Sequence, residues 1–311
     1  MATQAKVREI AAALNYSPNR AAQNLRKRCT RTLTFLTGDL GNRYLGELVA
    51  GAEPLAAERG FVVNVVAART DDAASAVLEH LGSGVSDGVV VHRGFAALRK
   101  PIDRLRQRGI AVVLLQDLGL GTAPCVQVDL LGGALVATRH LSGLGHRRVA
   151  HITDDILVDP TTNQRLQGYR QGVIEGGLDV DDSLIVAGRN SFEGGAAAVR
   201  VLLERCASPN RRPTAIFMFN DHMAIGAMHA LDALGPRVPQ DIAIVGFDGT
   251  DLGAFSKPAL TTVEHSHGEQ GRRAVAALLE QIDSTHDPEQ CRVTLPVKLL
   301  VRQSCGATMP S

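Results

Sequence analysis

Residues 213–249 read PTAIFMFNDHMAIGAMHALDALGPRVPQDIAIVGFDG, and this stretch decides the fold. A short apolar strand is predicted over AIFMFN, a helix over MAIGAMHALDALG and a second strand over IAIVGFDG. A strand, a helix and a strand in this order indicate a βαβ unit, whose two strands run parallel in one sheet.

The same alternation extends outward from this unit through most of the chain. Ahead of it, strands are predicted over TLTFLTG, FVVNVVAA, DGVVVH, IAVVLL, RVAHIT and SLIVAG, separated by helical segments of comparable length. After it come a long helix, GEQGRRAVAALLEQID, and short strands within RVTLPVKLLVRQSC. These two successive series predict two similar α/β lobes, each built on a parallel doubly wound sheet, with a cleft between them.

Composition restricts the class of protein. The chain has 311 residues, of which 45% are hydrophobic and 21% charged, as expected for a globular protein with ample core. No apolar run approaches the roughly 18–20 residues of a membrane span. The start, MATQAKVREI, has no apolar signal segment, and the five scattered cysteines lack metal-type spacing. A cytoplasmic protein with reduced thiols is therefore predicted.

The net charge of +1 hides an uneven distribution. Residues 1–31 carry seven basic side chains and one acidic one, a charge of +6, which leaves −5 for the rest of the chain. A basic arm on a mildly acidic body suits a polyanionic partner, although a solvated basic tail explains the charge equally well.

Catalytic motifs are absent from the sequence. It contains no GxSxG, no P-loop, no HExxH and no Cys/His cluster, and the glycines of DLGLGTAP (117–124) lack the dinucleotide fingerprint. His140, His146 and His151 do not have the spacing of a helical metal pair. Neither an enzyme nor a cofactor or metal site is predicted.

Several ordered motifs together resemble the LacI/GalR family of bacterial transcriptional regulators, from about residue 3 to residue 305. They are LNYSPNRAAQNL (14–25), VDLLGGALVATRHLSGLGHRRVAHI (128–152), RLQGY (165–169), the stretch 213–249, PALTTVEHS (258–266) and LPVKLLVRQSC (295–305). The resemblance implies a periplasmic-binding-protein-like core of two lobes behind a short helical remnant of a DNA-binding headpiece. It assigns residues 1–31 to this remnant and a hinge helix, 32–144 with 263–293 to the N-terminal lobe, and 145–262 with 294–311 to the C-terminal lobe.

The resemblance also assigns a role to the basic segment. In the family, paired hinge helices enter the minor groove of the operator, and a leucine wedges between base steps. Leu25 has that position, and the predicted DNA-binding residues are Asn19, Arg20, Ala22, Leu25, Arg26, Lys27 and Arg28. The alternative is a linker helix whose Leu25 packs on the core. Residues 3–14 resemble only the last headpiece helix, so the start codon is placed too late or the chain is truncated.

Polar residues that follow the predicted strands form the expected effector cleft, because ligands of open α/β sheets bind beyond the carboxyl ends of strands. The strand ends and the family motifs together give the predicted effector-binding residues. These are Tyr44, Leu45, Asp129, Thr161, Arg165, Phe192, Asn220 and Asp248. Carboxylates, amides, an arginine and flanking rings suit a polyhydroxylated ligand. The alternatives are a structural Arg165–Asp248 ion pair and a core position for Phe192. Asp221, which follows Asn220, is predicted to cap the next helix rather than to contact a ligand.

These observations predict a cytoplasmic repressor that binds operator DNA, senses a small sugar-like metabolite and acts as a homodimer. The helices YLGELVAGAEPLAAERG and AASAVLEHLGSG are the predicted N-lobe dimer interface. A sugar-binding module without specific DNA binding remains the alternative function.

Overall fold

The computed structural model describes residues 29–38, 40–41, 43–92, 96–117, 123–154, 160–283 and 292–307, together with positions 6, 10 and 13. The side chains of residues 96, 160, 161 and 209 are outside this description. The predicted DNA-binding residues therefore all lie outside the described residues: Asn19, Arg20, Ala22, Leu25, Arg26, Lys27 and Arg28.

The first lobe is built on a parallel sheet whose six described strands have the order β2-β1-β3-β4-β5-β11. These strands are β1 (Thr32–Thr37), β2 (Val62–Ala67), β3 (Gly88–Val91), β4 (Ala111–Leu114), β5 (Cys125–Val128) and β11 (Arg292–Leu295). The helices α1 (Arg43–Glu58) and α9 (His267–Asp283) share one hydrophobic cluster with one face of the sheet. On the other face lie α2 (Asp71–Leu81) and α3 (Arg99–Gln107), so the sheet is covered on both sides.

The second lobe repeats this architecture with strand order β7-β6-β8-β9-β10-β12 among the described residues. Its strands are β6 (Val149–Thr153), β7 (Ile185–Ala187), β8 (Ala215–Met218), β9 (Ala243–Asp248), β10 (Thr261–Glu264) and β12 (Lys298–Leu300). Its helices are α4 (Leu130–Gly143), α5 (Pro160–Glu175), α6 (Phe192–Arg205), α7 (Asp221–Leu234) and the short α8 (Asp251–Phe255). The predicted fold class, two parallel-dominated doubly wound sheets, is confirmed, with β12 running antiparallel to β10.

The apolar composition of the central strands follows from their burial. Every residue of β9 is buried, as are those of β3, β4 and β8. Parallel strands with helices on both faces have no solvent side, so their sequences are apolar throughout rather than alternating. This is why the runs AIFMFN and IAIVGFDG stand out in the sequence.

The chain passes between the sheets three times within the described residues, at 128–130, 264–267 and 295–298. The sequence predicted crossings near residues 144, 262 and 293. The first crossing lies a whole helix earlier because α4 packs on the second sheet, where a Cβ on Gly133 would be 2.7 Å from the Phe247 ring. The structure thus places residues 130–143 in the second lobe.

Glycines allow the helices of each lobe to approach closely. A Cβ added to Gly271 of α9 would lie 1.9 Å from the carbonyl oxygen of Leu48 in α1. A Cβ on Gly226 of α7 would lie 1.9 Å from the carbonyl oxygen of Phe192 in α6. Contacts this short leave no room for any side chain, so both lobes depend on backbone-to-backbone helix packing.

Among the described residues, no helix combines the length and apolar character needed to cross a membrane.

Candidate ligand-binding cleft between the lobes

A cavity of about 90 Å³ lies between the two sheets at the carboxyl ends of their strands. This is the edge at which open α/β sheets bind ligands. The described residues that line it are Tyr44, His92, Leu115, Gln116, Asp117, Gln127, Val128, Leu130, Gln164, Arg165, Asn190, Phe219, Asn220, Asp248, His265 and Gln270. Both lobes contribute, so an occupant contacts both.

Arg165 and Asp248 are the central charged pair of the cavity. Arg165 extends from α5 so that its guanidinium carbon lies 4.4 Å from the ring centroids of both Phe219 and Phe247. Its Nη2 is 3.4 Å from Oδ1 of Asp248, and the two side chains are each 8% exposed. The faces of both rings attract the cation and pack against it. The guanidinium is thus held at the cavity wall.

Asp248 has an unusual backbone conformation at the end of β9. Its φ is +101°, and Gly249 follows with φ +73°. The Asp248 carbonyl oxygen accepts a hydrogen bond of 2.6 Å from Nε2 of His267, which begins α9 in the other lobe. Burial lowers the pKa of His267 to about 4, so its ring is neutral and Nε2 carries the proton. A left-handed non-glycine residue costs conformational energy and is typical of functional sites.

Burial raises the pKa of the Asp248 carboxyl to about 7, against the opposing attraction of Arg165. Desolvation disfavours the ionised form, and the nearby carboxylate of Asp221 adds to this effect. The carboxyl group therefore changes protonation close to neutral pH, which makes it sensitive to a ligand that donates hydrogen bonds.

Tyr44 forms the opposite wall from α1. Its hydroxyl donates to Oε1 of Gln270 at 2.8 Å, and Nε2 of Gln270 donates to the carbonyl oxygen of Val126 at 2.9 Å. The rings of His92 and His265 lie 4.9 and 5.6 Å from the Tyr44 ring. Burial raises the pKa of the Tyr44 hydroxyl, so it remains a neutral donor. This wall presents an aromatic ring held in place by a buried amide.

Side-chain amides supply most of the remaining polar groups. Asn220 caps α7 by accepting from the Met223 N–H at 3.0 Å, and its Nδ2 donates to Oδ1 of Asn190 at 2.6 Å. Amides both donate and accept, and a hydroxyl group needs both functions. The remaining amides of the cavity wall belong to Gln116, Gln127 and Gln164.

Four of the residues predicted for the cleft converge on this cavity: Tyr44, Arg165, Asn220 and Asp248. The structure places Leu45 in the hydrophobic core of the first lobe. Asp129 is exposed and caps α4 by accepting from the Gly132 N–H at 2.9 Å.

Two further predicted residues start helices of the second lobe. Phe192 begins α6, is 39% exposed, and packs its ring 4.8 Å from that of His222. Thr161 lies in the first turn of α5, with its side chain outside the described atoms.

Asp221 was predicted to cap α7, and the structure corrects this interpretation. Asn220 is the cap, whereas the Asp221 carboxylate accepts from Thr250 and Thr262. The cap position is one residue earlier because the Asn220 backbone is extended (φ −155°, ψ 176°) and its side chain points back to Met223.

Sequence reasoning missed His92, Phe219 and Gln270 as lining residues. His92 and Phe219 directly follow β3 and β8, so the strand-end rule alone would have found them. His265, which directly follows β10, was not assigned to the cleft either. Gln270 lies on α9, where no sequence pattern connects it to Tyr44.

The fold and the cleft define a two-lobed binding protein, and comparisons with known proteins agree. Residues 138–305, more than half of the chain, match the periplasmic binding protein-like domain family. The ribose operon repressor of Haemophilus influenzae is 30% identical over 298 residues, covering 95% of this chain and 87% of that protein.

Solved structures give the same result. The transcriptional regulator CelR in complex with cellobiose has a TM-score of 0.78 and 28% identity, and the match covers 97% of this chain and 90% of that one. A ribose-bound LacI family regulator from Enterococcus faecium has a TM-score of 0.77 and 25% identity, with 88% and 98% covered. The chain belongs to the periplasmic binding protein-like family, within the LacI family of transcriptional regulators.

Proposed function

We propose that this chain is a cytoplasmic transcriptional repressor whose affinity for operator DNA is set by a small, neutral, sugar-like ligand bound between its lobes. The observation that carries the proposal is the buried Arg165–Asp248 pair in a cavity whose other described lining residues are mainly amides and aromatic or imidazole rings. The family relationship supports it, since the related proteins include a ribose operon repressor and a ribose-bound regulator.

Charge balance favours a neutral ligand. Among the described lining residues, Arg165 is the one arginine or lysine, and Asp248 opposes its charge. Asp117 lines the cavity too and is ion-paired with Arg292. A phosphorylated sugar would bring about two negative charges to a site whose described lining holds a single cation, already beside Asp248, and this is costly in a buried environment.

Size favours a monosaccharide. The cavity, about 90 Å³, is well below the roughly 300–1,000 Å³ of sites for drug-sized ligands. Hydroxyls of such a ligand can donate to Asp248 and accept from Arg165, while the Phe219 and Tyr44 rings cover its apolar faces. We therefore place monosaccharides ahead of oligosaccharides as candidate ligands.

Asp87 provides the connection from the cleft-bearing core to the basic segment. Its carboxylate accepts from the backbone N–H of Thr30 at 2.8 Å and of Arg31 at 2.7 Å, and from the Cys29 thiol at 3.2 Å. A movement of the first lobe would carry residue 29 with it. Since a ligand that touches both lobes favours one inter-lobe angle, its binding would reach the DNA-binding segment through this anchor.

The function is tested in two steps with the full chain. Calorimetry against a panel of neutral monosaccharides, starting with ribose, and their phosphate esters should give one neutral sugar that binds one per chain. Fluorescence anisotropy with DNA from around the protein's own gene should then show a change in affinity when that sugar is added. Tighter binding of a phosphate ester would contradict the neutral site. Sugar binding without any effect on DNA would favour the sugar-binding module instead.

We further propose a homodimer, because symmetric operators require symmetric readers. One face of α1 is already used inside its own lobe, where Gly51 meets Gly268, so a partner would contact another face. Phe255 on α8 is 82% exposed and supports an apolar contact by the second lobe.

Sedimentation velocity at micromolar concentration should give a species of twice the 33.0 kDa chain mass. Phe255→Ser should shift it toward the monomer, whereas a matched change at exposed Ile174 of α5 should not. A monomeric wild-type protein would disprove the dimer.

A further inference from the structure

The buried carboxylate of Asp221 lies directly behind the turn that carries Asp248. Asp221 is fully buried, yet it does not line the cavity among the described residues. Its Oδ2 accepts from both the backbone N–H and the hydroxyl of Thr250, at 2.7 and 2.9 Å. Its Oδ1 accepts from the Thr262 hydroxyl at 2.5 Å. One carboxylate thus satisfies three donors on two different elements.

These hydrogen bonds restrain the turn of the cleft in which Asp248 and Gly249 have positive φ. The Thr262 hydroxyl that donates to Asp221 also accepts from the Gly249 N–H at 3.2 Å. Gly249 and Asp248 are the two consecutive residues with positive φ. The network therefore fixes the backbone immediately after Asp248 on both sides of this turn, through Gly249 and through Thr250.

A glycine of β9, Gly246, leaves space for the Asp221 carboxylate. A Cβ at Gly246 would lie 2.4 Å from Oδ1 of Asp221, so any side chain there would displace it. Burial raises the pKa of Asp221 to about 6, while its Thr262 and Thr250 donors and the charge of Arg302 oppose the shift. At neutral pH the group is chiefly the ionised acceptor that three donors require.

We infer that Asp221 is a positioning residue of the cleft, which holds the Asp248–Thr250 turn in the geometry that presents the Asp248 carboxylate to the ligand. A left-handed residue persists only where its surroundings over-determine it. The Asp221 network supplies that constraint, together with the His267 bond from the other lobe. The inference rests on the proposed ligand-binding function of the cleft.

Asp221 has an electrostatic effect as well. The groups that act on the Asp248 charge are Arg165 from α5, Glu47 from α1 and Asp221 from α7. The negative charge of Asp221 makes ionisation of Asp248 harder, so its removal should shift the Asp248 titration to lower pH. A residue with a purely packing role would leave this titration unchanged.

The test compares Asp221→Asn and Thr262→Val with Thr262→Ser, which keeps the hydroxyl and serves as the matched control. Hydrogen exchange should show at least tenfold faster exchange of the Thr250 amide in Asp221→Asn and of the Gly249 amide in Thr262→Val. The carboxyl carbon-13 signal of Asp248 should titrate at lower pH in Asp221→Asn alone. Calorimetry with ribose should give an affinity about tenfold weaker in both variants and unchanged in Thr262→Ser.

Unchanged amide exchange and an unchanged Asp248 titration in folded Asp221→Asn would overturn the inference. If Asp221→Asn does not fold, the hydrogen-exchange rate of the Gly249 amide in Thr262→Val decides the inference, and an unchanged rate would overturn it. If the wild-type protein binds neither ribose nor any other sugar of the panel, the proposed function fails. Exchange and titration need no ligand, so they still decide whether Asp221 holds the turn.

Discussion

Replacing Arg165 by methionine, or Asp248 by asparagine, should weaken sugar binding about tenfold to a hundredfold while the protein stays folded. Both side chains are 92% buried at the cavity wall. A hydrogen bond to a charged group is worth about 1.5–3 kcal/mol, which corresponds to that loss in affinity. Methionine keeps much of the apolar stem between Phe219 and Phe247, so the loss reports the guanidinium rather than a void.

Calorimetry with the sugar identified by the panel measures the effect. Arg170→Met is the matched control, because Arg170 lies on the same helix and is half-exposed in an ion pair with Asp182. Its substitution should leave the affinity unchanged. Retained affinity in both Arg165→Met and Asp248→Asn would show that this pair is structural and that the ligand binds elsewhere.

The same titrations, repeated between pH 6 and 8, test whether the sugar binds to the ionised form of Asp248. Burial raises its pKa to about 7, so the carboxyl is half-protonated near neutrality. Because the ionised form accepts hydroxyl hydrogen bonds, wild-type affinity should rise with pH, by up to about tenfold per unit below the pKa. Asp248→Asn cannot ionise and should lose this dependence.

The second large effect is expected in the first lobe, where Gly271→Ala should destabilise the protein by about 3 kcal/mol or more. Overpacking in a well-packed core typically costs about 1–3 kcal/mol, and larger values occur. Here the added Cβ would meet the Leu48 carbonyl oxygen at 1.9 Å, a rigid backbone atom that can only yield if the α1 and α9 axes separate. Gln270 precedes this glycine, so the same separation would disturb its bond to Tyr44.

Gly46→Ala provides the control, since Gly46 lies within α1, is exposed and has no heavy atom within 4 Å of an added Cβ. Alanine should stabilise this position by about 0.5–1 kcal/mol, because glycine loses more chain entropy on folding. Urea denaturation of both variants gives the two opposite changes. A Gly271→Ala protein as stable as the wild type would show that the helix pair tolerates a wider spacing.

Sequence reasoning located Asn220 and Asp248 at the ends of two strands, although it missed His92 and Phe219 at the ends of two others. Asp248 and Asn220 directly end the two runs that decide the fold, and parallel strands bring their carboxyl ends to one edge of a sheet. Arg165 was found only through its motif, because a helix residue 83 positions from its partner leaves no local signal. Gln270 was missed for the same reason, since its partner Tyr44 is 226 positions away.

By itself the sequence determined the βαβ rhythm, the two lobes and the family, because apolar runs and helical segments are local properties set by burial on both sheet faces. Only the tertiary structure decided that α4 belongs to the second lobe and that Asp221 supports a turn instead of capping its helix. It also decided which rings enclose Arg165. Each of these depends on the packing of segments distant in the chain, and that packing is fixed by close approaches such as Gly133 to Phe247, which no local pattern records.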